Sequence, residues 1–144
     1  MMYQELSAIW RQINRQWGQQ TEPVLRDLAL THTDRMVLMT VSVTPGVSKT
    51  AIAAAINVRP QSLTRSIERL VQKELLIKKT HAHDERAVCF SLTSQGQIKV
   101  EALAANNQQL WQDMLCDFNA GEQAQLAKLL ERMLDNLLDA QDKE

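Results

Sequence analysis

Ser48–Val71, SKTAIAAAINVRPQSLTRSIERLV, decides how the chain folds. Ser48 is a helix cap, and the short helix it opens is built from Ala51, Ile52, Ala53, Ala54, Ala55 and Ile56. Such small side chains let a second helix approach closely. Asn57-Val58-Arg59 makes a turn, and Pro60 suits the first position of the next helix, where its missing N–H costs nothing. There Leu63, Ile67, Leu70 and Val71 fall on one face and Gln61, Ser62, Thr64, Arg65, Glu68 and Arg69 on the other. A helix, a tight turn and a second helix with an open polar face form the helix-turn-helix pattern.

Downstream, Leu75-Leu76-Ile77 opens a strand, and Val88, Phe90 and Leu92 alternate with Cys89 and Ser91 as a half-buried strand does. The residues from Lys78 to Ala87 are expected to form the tip of this hairpin, a wing beside the helix pair. Thr93 caps a long helix from Ser94, with Ile98, Val100, Leu103, Leu110, Trp111, Met114, Leu115 and Phe118 on its apolar side. Asn119-Ala120-Gly121 interrupts, and Leu126, Leu129, Leu130, Met133, Leu134, Leu137 and Leu138 stripe a terminal helix.

Upstream, Leu6, Ile9, Trp10, Ile13 and Trp17 stripe a first helix expected to end near Gly18, with a break at Glu22-Pro23. Two tryptophans on one stripe require a partner surface, in the same chain or another. Thr31 with Asp34 three residues later has capping-box spacing. Met36, Val37, Leu38, Val41 and Val43 supply the apolar content of that second helix, and Thr44-Pro45-Gly46 stops it. The expected fold is mainly α with a small β-wing. A winged helix-turn-helix lobe (30–93) lies between long dimerisation helices (1–29 and 94–144) in a single 144-residue domain.

The net charge of −1 is unevenly spread. From Ser48 to Arg86 eight basic side chains (Lys49, Arg59, Arg65, Arg69, Lys73, Lys78, Lys79, Arg86) face four acidic ones (Glu68, Glu74, Asp84, Glu85), so a basic middle lies between a charge-balanced start and an acidic C-terminal stretch. Phosphate binding needs local, not global, positive charge. The two cysteines, Cys89 and Cys116, have neither disulfide-scaffold nor zinc-module spacing and are expected to be structural thiols. No signal peptide or bilayer-length apolar run is visible, so a cytoplasmic location is expected. The chain has no Gly-rich phosphate loop, nucleophile motif or paired carboxylates in a recognisable setting, so no enzyme, cofactor or metal site is expected.

These residues resemble the MarR (multiple-antibiotic-resistance regulator) family of winged-helix regulators. The likeness is carried by Leu30-Thr31 with Val37-Leu38, by Lys49–Ala53 and by Gln61–Leu70. In the wing it is carried by Leu75-Leu76-Ile77, Asp84-Glu85-Arg86 and Leu92-Thr93-Ser94-Gln95-Gly96. Met36 stands where an aromatic residue is common, and His81-Ala82-His83 puts histidines in the wing. The resemblance implies a homodimer whose first, fifth and sixth helices interlock. It also implies transcriptional regulation, usually repression relieved by a small ligand or oxidant.

On this reading Gln61, Ser62, Thr64 and Arg65 face bases, since Gln pairs with adenine and Arg with guanine. Ser48, Lys49, Thr50, Arg59, Arg69, Lys78 and Lys79 complete the DNA-facing set, together with His81 and His83, whose charge near phosphate would titrate close to neutral pH. The two histidines lack a convincing further metal ligand in sequence. The resemblance implies that Arg86 enters or lies near the minor groove, and Asp84 is expected to hold it. The dimer contacts are expected from Leu6, Ile9, Trp10, Ile13, Trp17, Trp111, Met114, Leu115, Leu126, Leu130, Met133, Leu134 and Leu137. The partners expected are a second copy, a pseudopalindromic double-stranded operator with half-sites about 34–36 Å apart, and a small apolar or aromatic effector. The competing expectation is a winged-helix protein-interaction module that does not read DNA.

Overall fold

A computed structural model describes residues 1–81 and 84–143, with the side chains of 81 and 84–86 outside the described set. The elements are α1 (Met2–Asp27), α2 (His32–Val43), β1 (Val47–Ser48), α3 (Lys49–Ala55), a 3₁₀ turn (Pro60–Leu63), α4 (Thr64–Gln72), β2 (Leu76–His81), β3 (Asp84–Leu92), α5 (Ser94–Met114) and α6 (Ala120–Asp142). They divide into two compact units, 1–108 and 109–144, and α5 begins in the first and ends in the second.

In the first unit, α1 runs nine residues past Gly18 and carries Pro23 inside it. The expected end at Gly18 and break at Pro23 are therefore corrected. Proline in a helix forfeits one N–H bond, here to the carbonyl of Gln19. Gln19 and Pro23 are on the exposed side of the helix, where an unpaired carbonyl costs little, while buried Thr21 and Leu25 hold the turn from the other side.

The helix ends at Asp27, and the chain turns away at Ala29, just past the cap residue Leu28. Leu30 N–H donates to Leu25 O and Ala29 N–H to Arg26 O, with Ala29 in the left-handed region (φ 56). This is a Schellman motif. It recurs at Asn57 (φ 60), where Val58 N–H reaches Ala53 O, and at Glu74 (φ 62), where Leu75 N–H reaches Leu70 O. None of the three is glycine.

Local chemistry sets the other boundaries. Thr31 Oγ1 accepts from Asp34 N–H and Asp34 Oδ2 from Thr31 N–H, the capping box expected for α2. Ser48 Oγ caps α3 by accepting from Ala51 N–H. Pro60 opens a 3₁₀ turn rather than α4 itself, and the α-helical ladder begins at Thr64.

The core joins α2, α3, α4 and the sheet: Val37, Leu38, Val41, Ile52, Leu63 and Leu70 have no exposed surface. Val43, expected to add to the apolar face of α2, is 82% exposed, because the helix ends there. The sheet has the order β1-β3-β2 and is antiparallel throughout. Val47 pairs with Phe90 and Ser48 with Cys89, a strand that the short Val47-Ser48 segment does not announce in sequence. The β2–β3 ladder continues to His81 opposite Asp84, so the expected Lys78–Ala87 tip is mostly strand.

Thr93 fastens the wing base to α5. Its hydroxyl donates to Glu74 O (2.6 Å) and accepts from Gly96 N–H (2.9 Å), while its N–H donates to Leu75 O (3.1 Å). The backbones are then so close that a Cβ at Gly96 would lie 2.1 Å from Leu75 O.

In the second unit, α6 is capped by a reciprocal Asn119–Glu122 box. Leu115, Cys116 and Phe118, expected on the fifth helix, follow its end in a turn in which Phe118 N–H donates to Leu115 O. No helix among the described residues is long and apolar enough to cross a membrane.

Candidate nucleic-acid interface

The segment Pro60–Gln72 buries Leu63, Ile67 and Leu70 and turns Gln61, Ser62, Arg65 and Glu68 outward. Gln61 and Ser62 lie on the 3₁₀ turn, whose tighter winding presents them ahead of Arg65, one α-turn further on. Arg59, Thr50, Lys78 and Lys79 are exposed. Arg65, Arg59, Lys78 and Lys79 form no ion pair among the described residues.

Two other members of the expected set are engaged within the fold. Ser48 Oγ is the α3 cap, so its acceptor lone pair serves Ala51 N–H. Arg69 Nη2 donates to Asp34 Oδ1 at 2.6 Å, with 39% of its side chain exposed. Ser66, itself buried, donates its hydroxyl to the same oxygen at 2.5 Å. Asp34 thus accepts from Thr31, Ser66 and Arg69 together. Burial alone would raise its carboxyl pKa, but hydrogen bonds from Arg69, Ser66 and Thr31 outweigh that and hold it below the ordinary value.

Sequence reasoning saw Asp34 only as a helix cap, three residues after Thr31. Its second role was detectable only as a carboxylate in an otherwise apolar α2 face (Val37, Leu38, Val41), which demands a cationic partner once buried.

Lys49 and Thr64, both half-buried, meet across the helix-turn-helix: Lys49 Nζ donates to Thr64 Oγ1 at 2.9 Å. Two further lysines hold the turn after α1. Lys73 Nζ donates to Ala29 O and Lys99 Nζ to Leu28 O, each at 2.9 Å. Lys73 follows α4 directly, so the end of the outward-facing helix is tied to the end of α1.

His83 lies outside the described residues, as do the side chains of His81, Asp84 and Arg86. No group of three His, Cys, Asp or Glu among the described residues comes together to hold a metal ion. Cys89 is half-buried on β3 and Cys116 exposed.

Of the expected dimer residues in the first unit, Leu6, Ile9, Trp10 and Ile13 are exposed and Trp17 is half-buried. In the second, Trp111, Met133, Leu134 and Leu137 are exposed, and Met114, Leu115, Leu126 and Leu130 half-buried.

The sequence model of the family described as transcriptional regulator SarA/Rot matches residues 19–103. Among solved structures, a MarR family transcription regulator superposes with a TM-score of 0.85 at 20% identity, covering 99% of this chain and 94% of that one. The reduced form of MarR from E. coli gives 0.74 at 25% identity, covering 90% and 96%. An S. aureus MepR mutant bound to an oligodeoxyribonucleotide gives 0.67 at 23% identity, covering 92% and 97%.

Proposed function

The chain belongs to the SarA/Rot family of transcriptional regulators and is a DNA-binding winged-helix regulator of the MarR type, and on that premise we propose that it is a sequence-specific homodimeric repressor released by a small molecule. Regulators of this family are non-catalytic DNA-binding proteins. The observation that carries the reading is the outward face of 60–72. Gln61, Ser62 and Arg65 are exposed while Leu63, Ile67 and Leu70 anchor the same segment in the core. A rigid apolar back and a polar front at a helix start suit base edges in the major groove.

In this proposal residues 30–93 read DNA and 1–29 with 94–144 hold two copies together. Arg59, Lys78 and Lys79 contact phosphates, the Asp84-held Arg86 approaches the minor groove, and Arg69 acts chiefly by fixing α4 to Asp34. Dimerisation is supported by the exposed Leu6, Ile9, Trp10 and Ile13 on α1 and Met133, Leu134 and Leu137 on α6, apolar area that association would remove from water.

Release by an effector is supported by a groove of about 320 Å³ lined by Met36, Met39, Ile56 and Leu103 together with Arg35. Arg35 Nε is buried and has no hydrogen-bond partner among the described residues. An aromatic or apolar molecule carrying an acceptor fits such a site. It would release DNA by binding one arrangement of the dimer better than the other.

The test is fluorescence anisotropy on the DNA upstream of the gene and on duplexes selected from a random pool, across a salt series, with Arg65→Ala and Arg86→Ala alongside. Nanomolar binding that weakens steeply with salt, and about tenfold or more in each variant, is expected. Binding to no sequence above bulk DNA would leave the interaction-module reading instead.

A further inference from the structure

The Lys49–Thr64 contact has a consequence for which bases the protein reads. Lys49 is the first residue of α3 and Thr64 the first of α4, and their side chains meet at 2.9 Å. An ammonium carries three N–H donors and no lone pair, so Lys49 donates and Thr64 accepts. The hydroxyl proton of Thr64 is then turned away from the ammonium. A helical threonine commonly returns that proton to the carbonyl four residues back, as Thr40 does to Met36 O at 2.8 Å. Thr64 does not: four residues back is Pro60, in the 3₁₀ turn, and its O–H has no acceptor among the described residues. Lys49 forms no ion pair among the described residues either, with Glu68 or any other carboxylate. Half-burial of both side chains limits their swing.

We infer that Lys49 and Thr64 act as a single reading unit for guanine, presenting two ammonium N–H groups and one hydroxyl proton to N7 and O6 of that base. In the major groove guanine shows two adjacent acceptors, whereas adenine and cytosine each put an amino donor toward the protein and thymine offers one acceptor beside a methyl group. A cluster made only of donors matches guanine and meets the amino groups of adenine and cytosine unfavourably. Lys49 both supplies donors and, by occupying a lone pair of Thr64, sets the direction of the Thr64 proton. Arg65 beside it reads an independent position.

This inference rests on the sequence-specific reading proposed above, and the experiment separates the two. The full-length protein selects a duplex from a random pool, and each guanine of that duplex is replaced in turn by 7-deazaguanine, which removes only N7. One guanine per half-site is expected to cost wild type about tenfold in affinity on replacement. Lys49→Met and Thr64→Val are each expected to lose about tenfold on the unmodified duplex and nothing further on the 7-deaza duplex. The double variant loses no more than the worse single, and Thr64→Ser stays near wild type. Multiplying losses in the double variant would overturn the unit, as would a wild type indifferent to 7-deazaguanine at every guanine, a test that needs no variant to fold. A Thr64→Val protein selecting the same consensus with unchanged affinity would overturn it too. Wild type selecting no sequence would overturn this inference together with the reading beneath it.

Discussion

Replacing Asp34 by asparagine changes one atom's chemistry at a site where three donors converge. Oδ1 takes the Arg69 guanidinium and the Ser66 hydroxyl, and Oδ2 takes Thr31 N–H. A carboxylate accepts all three; an amide must aim an NH₂ at one of them. The least costly orientation keeps oxygen toward Arg69 and Ser66 and sets donor against donor at Thr31. An unsatisfied buried donor costs about 1–3 kcal/mol, and bonds to a neutral oxygen are roughly half as strong as bonds to a carboxylate. The expected loss is about 3 kcal/mol. Arg69→Met is expected to cost less, about 1–2 kcal/mol, because Arg69 is 39% exposed and its pairing is partly screened. Urea unfolding at fixed protein concentration measures both, and at a slope of about 2 kcal/mol per M the Asn variant should unfold roughly 1.5 M earlier. The same variant tests linkage. The folded carboxyl of Asp34 titrates below its ordinary value, so its stabilisation is complete above the unfolded pKa of about 3.9 and is lost as pH falls through the folded one. Wild type should lose stability across that acid window more steeply than Asp34→Asn. An Asn variant within about 0.5 kcal/mol of wild type, or an Arg69→Met variant costing more than it, would refute the idea that Asp34 is the fixed point of α4.

Three further outcomes are expected. Gly96→Ala should cost more than about 3 kcal/mol or prevent folding, because its Cβ would meet Leu75 O at 2.1 Å and backbone cannot yield there; thermal melting decides it. Glu74→Gly should stabilise by about 0.5–1 kcal/mol, since glycine adopts the φ of 62 without the Cβ penalty while the bonds at its backbone persist; an unchanged or lower melting temperature would count against it. Trp10→Glu, at a site 54% exposed in the single chain, should leave the fold intact by circular dichroism and shift the protein from dimer to monomer in light scattering.

The fold is legible in the sequence where chemistry is local. Ser48, Thr31 with Asp34, and Thr93 announce helix starts because an oxygen lies two or three residues before an N–H that needs it, and all three caps form. Leu63, Ile67 and Leu70 announce the buried face because their spacing matches the helical period. Helix ends were harder. Ala29 and Glu74 terminate helices in a conformation that usually selects glycine, and Gly18, which looks like a terminator, sits inside α1. There the decision belongs to tertiary contacts, such as Lys73 and Lys99 reaching the carbonyls of Ala29 and Leu28 from far along the chain. The same holds for the candidate interface. The outward residues of α4 follow from periodicity, but the Lys49–Thr64 and Asp34–Arg69 pairs join residues 15 and 35 apart, a distance that no local pattern encodes.

The pairing of Val47 and Ser48 with Phe90 and Cys89 sets the size of the part that can be exchanged between regulators. Ser48 belongs at once to the sheet and to the start of α3, so the wing and the reading helices share a residue. A chimera that imports only a foreign α3–α4 segment would present a mismatched edge to β3. One that imports only a foreign wing would leave Val47 and Ser48 facing partners other than Phe90 and Cys89. The smallest segment that keeps this pairing whole is therefore 47–92; it must also bring Ser66 and Arg69 to the host's Asp34 and offer the carbonyls of 74 and 75 to the host's Thr93, and a graft cut inside it should fold poorly however well its reading residues are chosen.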